Sequence, residues 1–234
     1  MNSIDGIDFN ACLANTSATN NVAVSVNLTH LSNGTRVTVS NGHLYWRRDA
    51  QIIRLKQQDY WTKRLAAPAN QNVILCGDFN APPNQAWYDL ITGKYQNDSK
   101  VPPVEMSLTP ELEREMPNPH SGSPYIQPIH IFLNGTLEKT MDYSPDESGL
   151  DFDHIRTSFS DRKVTFESSY AKALGSEPNY TNFTQFYQGT LDYIFYNNSL
   201  TVQSAMKLPV LSSFIPSETE PSDHLPIMAT FALA

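Results

Sequence analysis

Four short segments of the sequence carry side chains that could bind a phosphate or a metal ion. A carboxylate and an amide two residues apart, such as Asp78 and Asn80, project on the same side at the end of a strand. One of them could hold a metal ion or a water while the other donates to a phosphate oxygen. The segments are residues 41–46 with His43, residues 77–80 with Asp78 and Asn80, residues 191–195 with Asp192, and residues 222–226 with Asp223 and His224.

Asp192 and His224 form a candidate pair. Asp192 is a single acid within the apolar segment 191–195, and burying an isolated carboxylate is costly unless it is paired. His224 is the candidate partner, and it directly follows Asp223. A carboxylate beside an imidazole polarises or charges the ring, which can then orient an attacking water or stabilise a pentavalent phosphorus.

Taken one at a time, the same segments also fit purely structural roles. Gly77-Asp78-Phe79-Asn80 fits a capped turn, Asp223-His224 fits a surface turn, and His43 fits a hydrogen-bonded structural histidine. Their joint occurrence is more specific, because each cluster lies within a strand-like segment or at its end. The order histidine, G-D-x-N, L-D-Y, S-D-H therefore favours one common site.

The elements that must position these clusters begin with a hairpin and a helix. Residues 21–28 and 35–40 alternate apolar and polar side chains on either side of Asn33-Gly34, which is a strong hairpin signal. Residues 49–67 carry apolar side chains at helical spacing, and Pro68 provides a stop. The sequence therefore predicts two antiparallel strands followed by an amphipathic helix.

The rest of the chain reads as strands interrupted by a long insertion. Residues 72–76 predict a buried strand, and Asn84 is predicted to cap a short helix that runs through Leu90. Residues 92–148 contain many prolines and predict a long irregular insertion. This order indicates an α+β fold with one mainly antiparallel sheet. The remaining strand-like segments are residues 190–196, 201–208 and 227–233.

Composition limits the classes of function that fit. The 234 residues are 40% hydrophobic and 17% charged, which is typical of a globular domain. A net charge of -8 leaves no broad basic surface for duplex DNA or RNA, although a short single strand could still enter a pocket. Two cysteines are too few for a disulfide framework, and no apolar stretch approaches about 18 residues. These features predict a cytoplasmic protein with no membrane partner, with a nuclear or mitochondrial location as alternatives.

Longer strings within these segments resemble a known family. They match the endonuclease/exonuclease/phosphatase superfamily, and within it the CCR4-like deadenylase branch with nocturnin, Angel and the yeast Ngl-type RNA exonucleases. The resemblance covers roughly residues 20–91 and 178–232. The strings are His43-Leu44-Tyr45-Trp46, Cys76-Gly77-Asp78-Phe79-Asn80, Tyr180-Thr181-Asn182-Phe183-Thr184 leading into Gly189-Thr190-Leu191-Asp192-Tyr193-Ile194-Phe195-Tyr196, and Pro221-Ser222-Asp223-His224-Leu225-Pro226.

The resemblance implies a catalytic metal site. Asp78 and Asn80 would hold a second metal ion or the attacking water together with the scissile phosphate, and Asp223 would lie beside the metal. The implied ion is Mg²⁺, with Mn²⁺ as a substitute.

The resemblance also implies roles for residues that contact the substrate. Asp192 would orient His224 towards the phosphate, and His43 would be a further phosphate ligand. Tyr187 falls where this branch places an aromatic ring that stacks on the terminal base, and such stacking is worth about 1 to 3 kcal/mol per base.

The fold implied for residues 1–234 is the C-terminal half of a DNase-I-like, four-layer α/β/β/α sandwich. The asparagine and the Leu-Gln-Glu glutamate that bind the principal magnesium in this family belong to the N-terminal half and have no counterpart before Asn21. Two local departures are Gly42, where the family has Asn-Thr before the histidine, and Arg47-Arg48, where it has a proline.

Two functions remain open at this point. The first is magnesium-dependent hydrolysis of RNA from its 3′ end, with a single-stranded RNA 3′ end, including poly(A), as the partner. Ribosomal RNA trimming and hydrolysis of a dinucleotide phosphate fit the same fold. The second is a catalytically incomplete fragment or pseudoenzyme with a phosphate-binding or protein-interaction role.

Overall fold

The computed structural model of the protein describes residues 3–12, 19, 21–46, 51–65, 72–94, 129–133, 136–141, 155, 157–159, 161, 165–197 and 200–233. The chain divides into two compact units, one formed by Met1–Pro102 with Leu150–Ala234 and the other by Pro103–Gly149. Within the described residues, no helix is long and apolar enough to span a membrane.

Numbered along the chain, the strands are β1 Ser3–Asp8, β2 Val22–Thr29, β3 Arg36–His43, β4 Asn72–Asp78, β5 Ile129–Leu133, β6 Thr136–Met141, β7 Phe166–Ser168, β8 Asn182–Phe183, β9 Gln188–Gly189, β10 Asp192–Asn197, β11 Leu200–Ala205 and β12 Ala229–Leu233. The helices are α1 Gln51–Leu65, α2 Ala86–Thr92 and α3 Ser169–Leu174, and a short 3-10 helix covers Phe9–Cys12.

A six-stranded sheet with the order β1-β2-β3-β4-β10-β7 forms the centre of the larger unit. All neighbouring strands in it are antiparallel except β3 and β4, which are parallel and joined through α1. The predicted hairpin, the helix after it and the buried strand 72–76 are confirmed as β2, β3, α1 and β4. The mainly antiparallel α+β architecture is confirmed as well.

Several local predictions were wrong. Helix α2 has Gln85 rather than Asn84 as its N-cap, and no side chain caps it. The helix continues past Leu90 to Thr92. Gly93 is its C-cap, and a left-handed φ of 68° suits glycine at that position. Strand β1 was not predicted, because Ser3–Asp8 has few β-branched residues and takes its strand form from pairing with β2.

The insertion 92–148 was predicted to be irregular, but it contains a hairpin. Strands β5 and β6 pair antiparallel within the smaller unit. The sequence between them is Asn134-Gly135, a hairpin signal that the high proline content of the segment obscured. The proline content alone was therefore a poor guide to local structure.

One face of the central sheet packs against the helices and forms the core. Buried residues of this core include Leu75 from β4, Phe195 from β10, and Trp61 from α1. The polar side chains on this face are satisfied, since Trp61 Nε1 donates to Ser40 Oγ at 2.8 Å, and Ser40 Oγ lies 2.7 Å from Ser25 Oγ. Close packing of this core fixes the positions of β3, β4 and β10.

The opposite face of the sheet is apolar but only partly covered. On the β10 side, Phe231 of β12 packs against Tyr196, with ring centroids 5.2 Å apart. On the β1 and β2 side, apolar side chains of the same face are exposed. We call this group the open face; it consists of Ile4, Val22, Val24 and Leu28.

Candidate active site

Three neighbouring strands of the central sheet have an end at the same place, where β3 and β4 finish and β10 begins. His43 is the last residue of β3 and pairs in register with Asp78, the last residue of β4. Asp192, the first residue of β10, lies opposite Asp78 from the other side. Because paired residues point to the same face of a sheet, the three side chains lie together.

Two glycines allow close packing just before these strand ends, Gly77 between β4 and β3 and Gly42 between β3 and its neighbours α1 and β2. Gly77 has a φ of 138°, and a Cβ placed on it would collide with the carbonyl oxygen of Gly42. A Cβ on Gly42 would in turn collide with Trp61 and Ala23. The spacing between His43 and Asp78 therefore depends on the absence of a side chain at Gly77, and the packing of β3 against Trp61 and Ala23 depends on its absence at Gly42.

Phe79 fixes the turn that follows Asp78. Its buried ring stacks between Trp61 and Trp87, with centroid distances of 5.6 and 5.3 Å. The next residue, Asn80, has a left-handed φ of 50°, which asparagine tolerates better than most residues. The Phe79 anchor thus holds Asp78 and Asn80 in a fixed relation at the strand end.

Asn80 is held by two hydrogen bonds. Its backbone N–H donates to Asp78 Oδ1 at 2.7 Å, and its side-chain Nδ2 donates to the carbonyl of Leu44 at 2.9 Å. Because the Asn80 side-chain Nδ2 donates to the Leu44 carbonyl, the orientation of the amide is set. Its Oδ1 is then the atom that can serve as a ligand.

The chain segment that contains His224 completes the cluster. His224 Nδ1 lies 2.7 Å from Asp192 Oδ2, and His224 Nε2 lies 3.9 Å from Asp78 Oδ2. One ligand atom from each of Asp78, Asp192 and His224 lies within 4.8 Å of the others. On the far side of Asp78, His43 Nε2 lies 3.4 Å from Oδ2. The carboxylate of Asp78 is therefore flanked by two imidazoles.

The protein environment disfavours a negative charge on Asp78. Burial, together with the negative charge of Asp192, raises the pKa of Asp78 to about 7. The hydrogen bond from the Asn80 backbone and the charge of His224 oppose this shift only in part. A cation bound at Asp78 would relieve the repulsion between the two carboxylates.

The two histidines differ in charge at neutral pH. Burial alone would lower the pKa of His224, but its hydrogen bond to Asp192 and the charges of Asp192, Asp78 and Asp223 raise it to about 9. For His43, partial burial and the positive charge of His224 lower the pKa. His224 is therefore a cation at pH 7, whereas His43 is neutral.

The donor set fits a hard divalent cation in part. Magnesium prefers oxygen ligands, which Asp78 and Asn80 offer at the strand end. Asp223 was also assigned to the metal, but it lies outside the compact cluster of the described residues. Its Oδ2 is 4.0 Å from His224 Nε2 and 3.5 Å from Asn182 Nδ2, and its side chain is more than half exposed.

Residues in and next to the β8–β9 hairpin contact His224 and Asp192 of this cluster. An isolated bridge joins Asn182 of β8 to His224, and Thr181, just before β8, donates through its hydroxyl to Asp192 Oδ2 at 2.6 Å. The sequence prediction missed Thr181 as a site residue. The signal was present, because a carboxylate inside an apolar strand needs more than one hydrogen-bond donor.

Tyr187 lies in the turn of the same hairpin and is partly exposed. Thr184 shapes this turn, since its hydroxyl accepts from the backbone of Phe186 at 3.2 Å and of Tyr187 at 3.0 Å. A Cβ on Gly189 would collide with the Tyr187 ring. The glycine therefore lets the ring lie along β9.

Residues 4–224 match the profile of the Endonuclease/Exonuclease/phosphatase family. The chain is 28% identical over 213 residues to Carbon catabolite repressor protein 4 homolog 4 of Arabidopsis thaliana, with 84% of this chain and 38% of that protein covered. It is 25% identical over 231 residues to the CCR4-Not complex 3′-5′-exoribonuclease subunit Ccr4 of Saccharomyces cerevisiae, with 90% and 22% covered. It is 26% identical over 204 residues to human 2′,5′-phosphodiesterase 12, with 82% and 26% covered.

Solved structures share the fold. ANGEL2, described as a 2′,3′-cyclic phosphatase, superposes with a TM-score of 0.59 at 19% identity, covering 98% of this chain and 66% of that one. The human Nocturnin catalytic domain gives 0.53 at 21% identity, covering 99% and 59%. The chain thus spans less than two fifths of the three curated relatives named above. From the profile match and these relatives, the chain belongs to the endonuclease/exonuclease/phosphatase family, an enzyme family of nucleases and phosphodiesterases, and within it to the CCR4-like group.

Proposed function

We propose that this chain forms the phosphate-binding part of a magnesium-dependent phosphodiesterase that shortens single-stranded RNA from its 3′ end. The observation that carries the proposal is the convergence of Asp78, Asp192 and His224, from each of which one ligand atom lies within 4.8 Å of the others. The relatives named above include a 3′-5′ exoribonuclease and a 2′,5′-phosphodiesterase. Hydrolysis of a phosphodiester is the chemistry that these names share.

His224 is the residue best placed to contact a phosphoryl oxygen. Its Nδ1–H donates to Asp192, so its Nε2–H faces Asp78 across 3.9 Å, which is too long for a hydrogen bond. Among the described residues, the nearest carboxylate oxygens lie 3.9 and 4.0 Å from Nε2, so that N–H can donate to a bound phosphate. Because the pKa of His224 is raised to about 9, the ring carries a positive charge at neutral pH and stabilises charge that develops on the phosphoryl oxygens.

Asp78 and Asn80 would hold the metal ion, which supplies positive charge beside the phosphate when it is bound. Asp78 contributes a carboxylate whose ionisation is otherwise opposed by burial. Asn80 contributes an oxygen fixed by the Leu44 hydrogen bond. The neutral ring of His43, on the other side of Asp78, offers a second contact for the substrate.

The proposed reaction is hydrolysis of the last phosphodiester of the RNA. A water oxygen forms a bond to phosphorus while the bond from phosphorus to the 3′ oxygen breaks. The shortened RNA keeps a 3′-hydroxyl group, and the terminal nucleotide leaves as a nucleoside 5′-monophosphate. Asp192 accepts the hydrogen bond from His224 Nδ1 and keeps the ring oriented.

The test is the degradation of a 5′-labelled single-stranded RNA by the full-length protein that contains this chain. We expect products shortened stepwise from the 3′ end with magnesium or manganese and none with excess EDTA. Poly(A), a mixed sequence and a 2′,5′-linked oligoadenylate are compared to define the substrate. Undiminished cleavage in EDTA, or shortening from the 5′ end, contradicts the proposal.

Tyr187 is proposed to stack on the terminal base. Replacing it by alanine should raise KM about tenfold or more and change kcat much less, because stacking worth about 1 to 3 kcal/mol binds ground state and transition state alike. Tyr187→Phe keeps the ring and is the matched control, with KM near that of the wild type. A lowered melting temperature with unchanged KM in Tyr187→Ala would instead assign the ring a packing role.

A second candidate is a phosphate-binding protein without catalysis. The observation that favours it is that, among the described residues, no glutamate belongs to the Asp78 cluster. The full-length protein would then bind single-stranded RNA in the presence of magnesium without shortening it. A filter-binding assay beside the degradation assay separates the two functions.

The cysteines support the proposal of a reducing, cytoplasmic location. Burial raises the pKa of both Cys12 and Cys76 to about 11, so both remain protonated thiols at neutral pH. Both are free cysteines in the structure. Thiols in this state react slowly with oxidants and other thiols.

A further inference from the structure

Thr181 contacts the candidate active site, although the sequence motifs did not mark it as a site residue. Its side chain is completely buried, and its hydroxyl lies 2.6 Å from Asp192 Oδ2. The same hydroxyl oxygen accepts hydrogen bonds from the backbone N–H of Leu191 at 2.9 Å and of Asp192 at 3.1 Å.

These contacts leave the threonine hydroxyl one possible orientation. A hydroxyl has one proton to donate and two lone pairs to accept with. Both lone pairs are taken by backbone N–H groups, which can only donate. The proton must therefore point to Asp192 Oδ2.

The carboxylate oxygen that Thr181 contacts is the one that faces His224. Asp192 Oδ2 lies 2.6 Å from the Thr181 hydroxyl and 2.7 Å from His224 Nδ1. The backbone carbonyl of Thr181 also accepts from the N–H of Leu225, the neighbour of His224, at 2.7 Å. One residue thus holds the carboxylate through its side chain and the histidine segment through its backbone.

We propose that Thr181 is the positioning residue of the Asp192–His224 pair. Its hydroxyl fixes the rotation of the Asp192 carboxylate so that Oδ2 faces Nδ1 of His224, and this leaves Nε2 directed at the phosphate. Thr181 does not touch the substrate. Its effect on RNA hydrolysis rests on the proposed function, whereas its effect on the geometry of the pair does not.

The test compares Thr181→Val, which keeps the shape and loses the hydroxyl, with Thr181→Ser, which keeps the hydroxyl. In the full-length protein, Thr181→Val should lower kcat about 10- to 100-fold with little change in KM, because small errors in the orientation of a catalytic group have effects of this size. Thr181→Ser should restore kcat to within a few fold of the wild type. Thr181→Ala, which removes the hydroxyl without adding a methyl group, is measured beside them in case the valine does not fold.

Thr190→Val is the matched control. Thr190 is also buried in this region, but its hydroxyl donates to the carbonyl of Pro178 and does not contact Asp192. We expect it to lose stability to a similar degree while kcat stays near that of the wild type. Equal melting temperatures and equal kcat in Thr181→Val and Thr190→Val would overturn the proposal.

A second readout does not depend on catalysis. The Nδ1–H of His224, held by a short hydrogen bond to Asp192, should give a downfield proton resonance in the ¹⁵N-histidine-labelled protein, assigned by its loss in His224→Gln. The resonance should be lost or shifted in Thr181→Val and retained in Thr181→Ser and Thr190→Val. An unchanged resonance in Thr181→Val overturns the proposal even if RNA is cleaved. A lost resonance in a protein that never cleaves RNA supports the positioning role and refutes the proposed function alone.

Discussion

The full-length protein with Asp78 replaced by alanine or asparagine should lose RNA cleavage by at least about 10³-fold. Asp78 lies between His43 and His224, opposite Asp192, so its carboxylate is at the centre of the proposed site. Removing one group that stabilises charge in the transition state typically costs 10² to 10³ in kcat, and Asp78 combines this role with metal binding. Initial rates with magnesium, measured over a range of protein concentrations, give the loss directly.

The same substitution should leave the fold intact. Burial raises the pKa of Asp78 to about 7, so the ionised carboxylate is unfavourable in the folded protein without a cation. Asparagine removes that charge and still accepts the hydrogen bond from the Asn80 backbone. The melting temperature without metal should therefore stay the same or rise.

Asp59 is a matched control for the Asp78 substitutions. Its side chain is 14% exposed, as is that of Asp78. It lies on α1, where it contacts Lys63 at 2.7 Å and accepts from Ser158 Oγ at 2.6 Å. Asp59→Asn should lower the melting temperature and keep the cleavage rate. Wild-type cleavage by Asp78→Ala would refute the assignment of the site.

Residues 1–234 expressed alone should aggregate and should not cleave RNA. Ile4, Val22, Val24 and Leu28 of the open face are 74%, 58%, 42% and 43% exposed, although all four lie on one face of the sheet. Complete burial of such side chains is worth about 1.5 to 3 kcal/mol each, and a whole domain is stable by only about 5 to 15 kcal/mol. Family resemblance assigns the opposing sheet, and the glutamate that binds the principal magnesium, to the N-terminal half. Size-exclusion chromatography and thermal melting measure the outcome.

Substitutions on the open face test the cause of this aggregation. The triple variant Val22→Thr, Val24→Thr, Leu28→Thr keeps β-branched or strand-compatible side chains and should raise the soluble fraction several fold. Leu31→Thr with Val210→Thr changes apolar residues that are almost fully exposed outside this face and should have no such effect. A soluble, cooperatively melting monomer of residues 1–234 that hydrolyses RNA would refute the open-face argument.

The strand ends that carry the site could be predicted from the sequence, because the pattern of apolar residues along a strand reflects which of its residues are buried. Residues 73–76 are apolar since both faces of β4 are at least partly buried, and the polar string that follows begins where β4 ends. The argument that a carboxylate in an apolar strand needs a partner led to Asp192 and His224. That inference used only the cost of an unpaired charge, which does not depend on knowing the fold.

Other features required the three-dimensional register. The hydroxyl of Thr181 contacts a carboxylate 11 residues further along the chain, and only the β8–β9 hairpin shows that the two meet. Asn84 has a favourable N-cap side chain, yet the helix begins one residue later after Gln85. Strand β1 exists through its ladder with β2 rather than through its own propensity. Tertiary contacts outweighed local preference in each case.

The contact between Gly42 and Gly77 also restricts how this protein can vary. Any substitution of a glycine by another amino acid adds a Cβ atom. Neither position has room for one. A substitution of Gly77 would therefore push β3 and β4 apart, and a substitution of Gly42 would displace Trp61 or Ala23 from β3. We expect variation near the site to arise instead in elements that tolerate side-chain replacement, such as the turn that carries Tyr187.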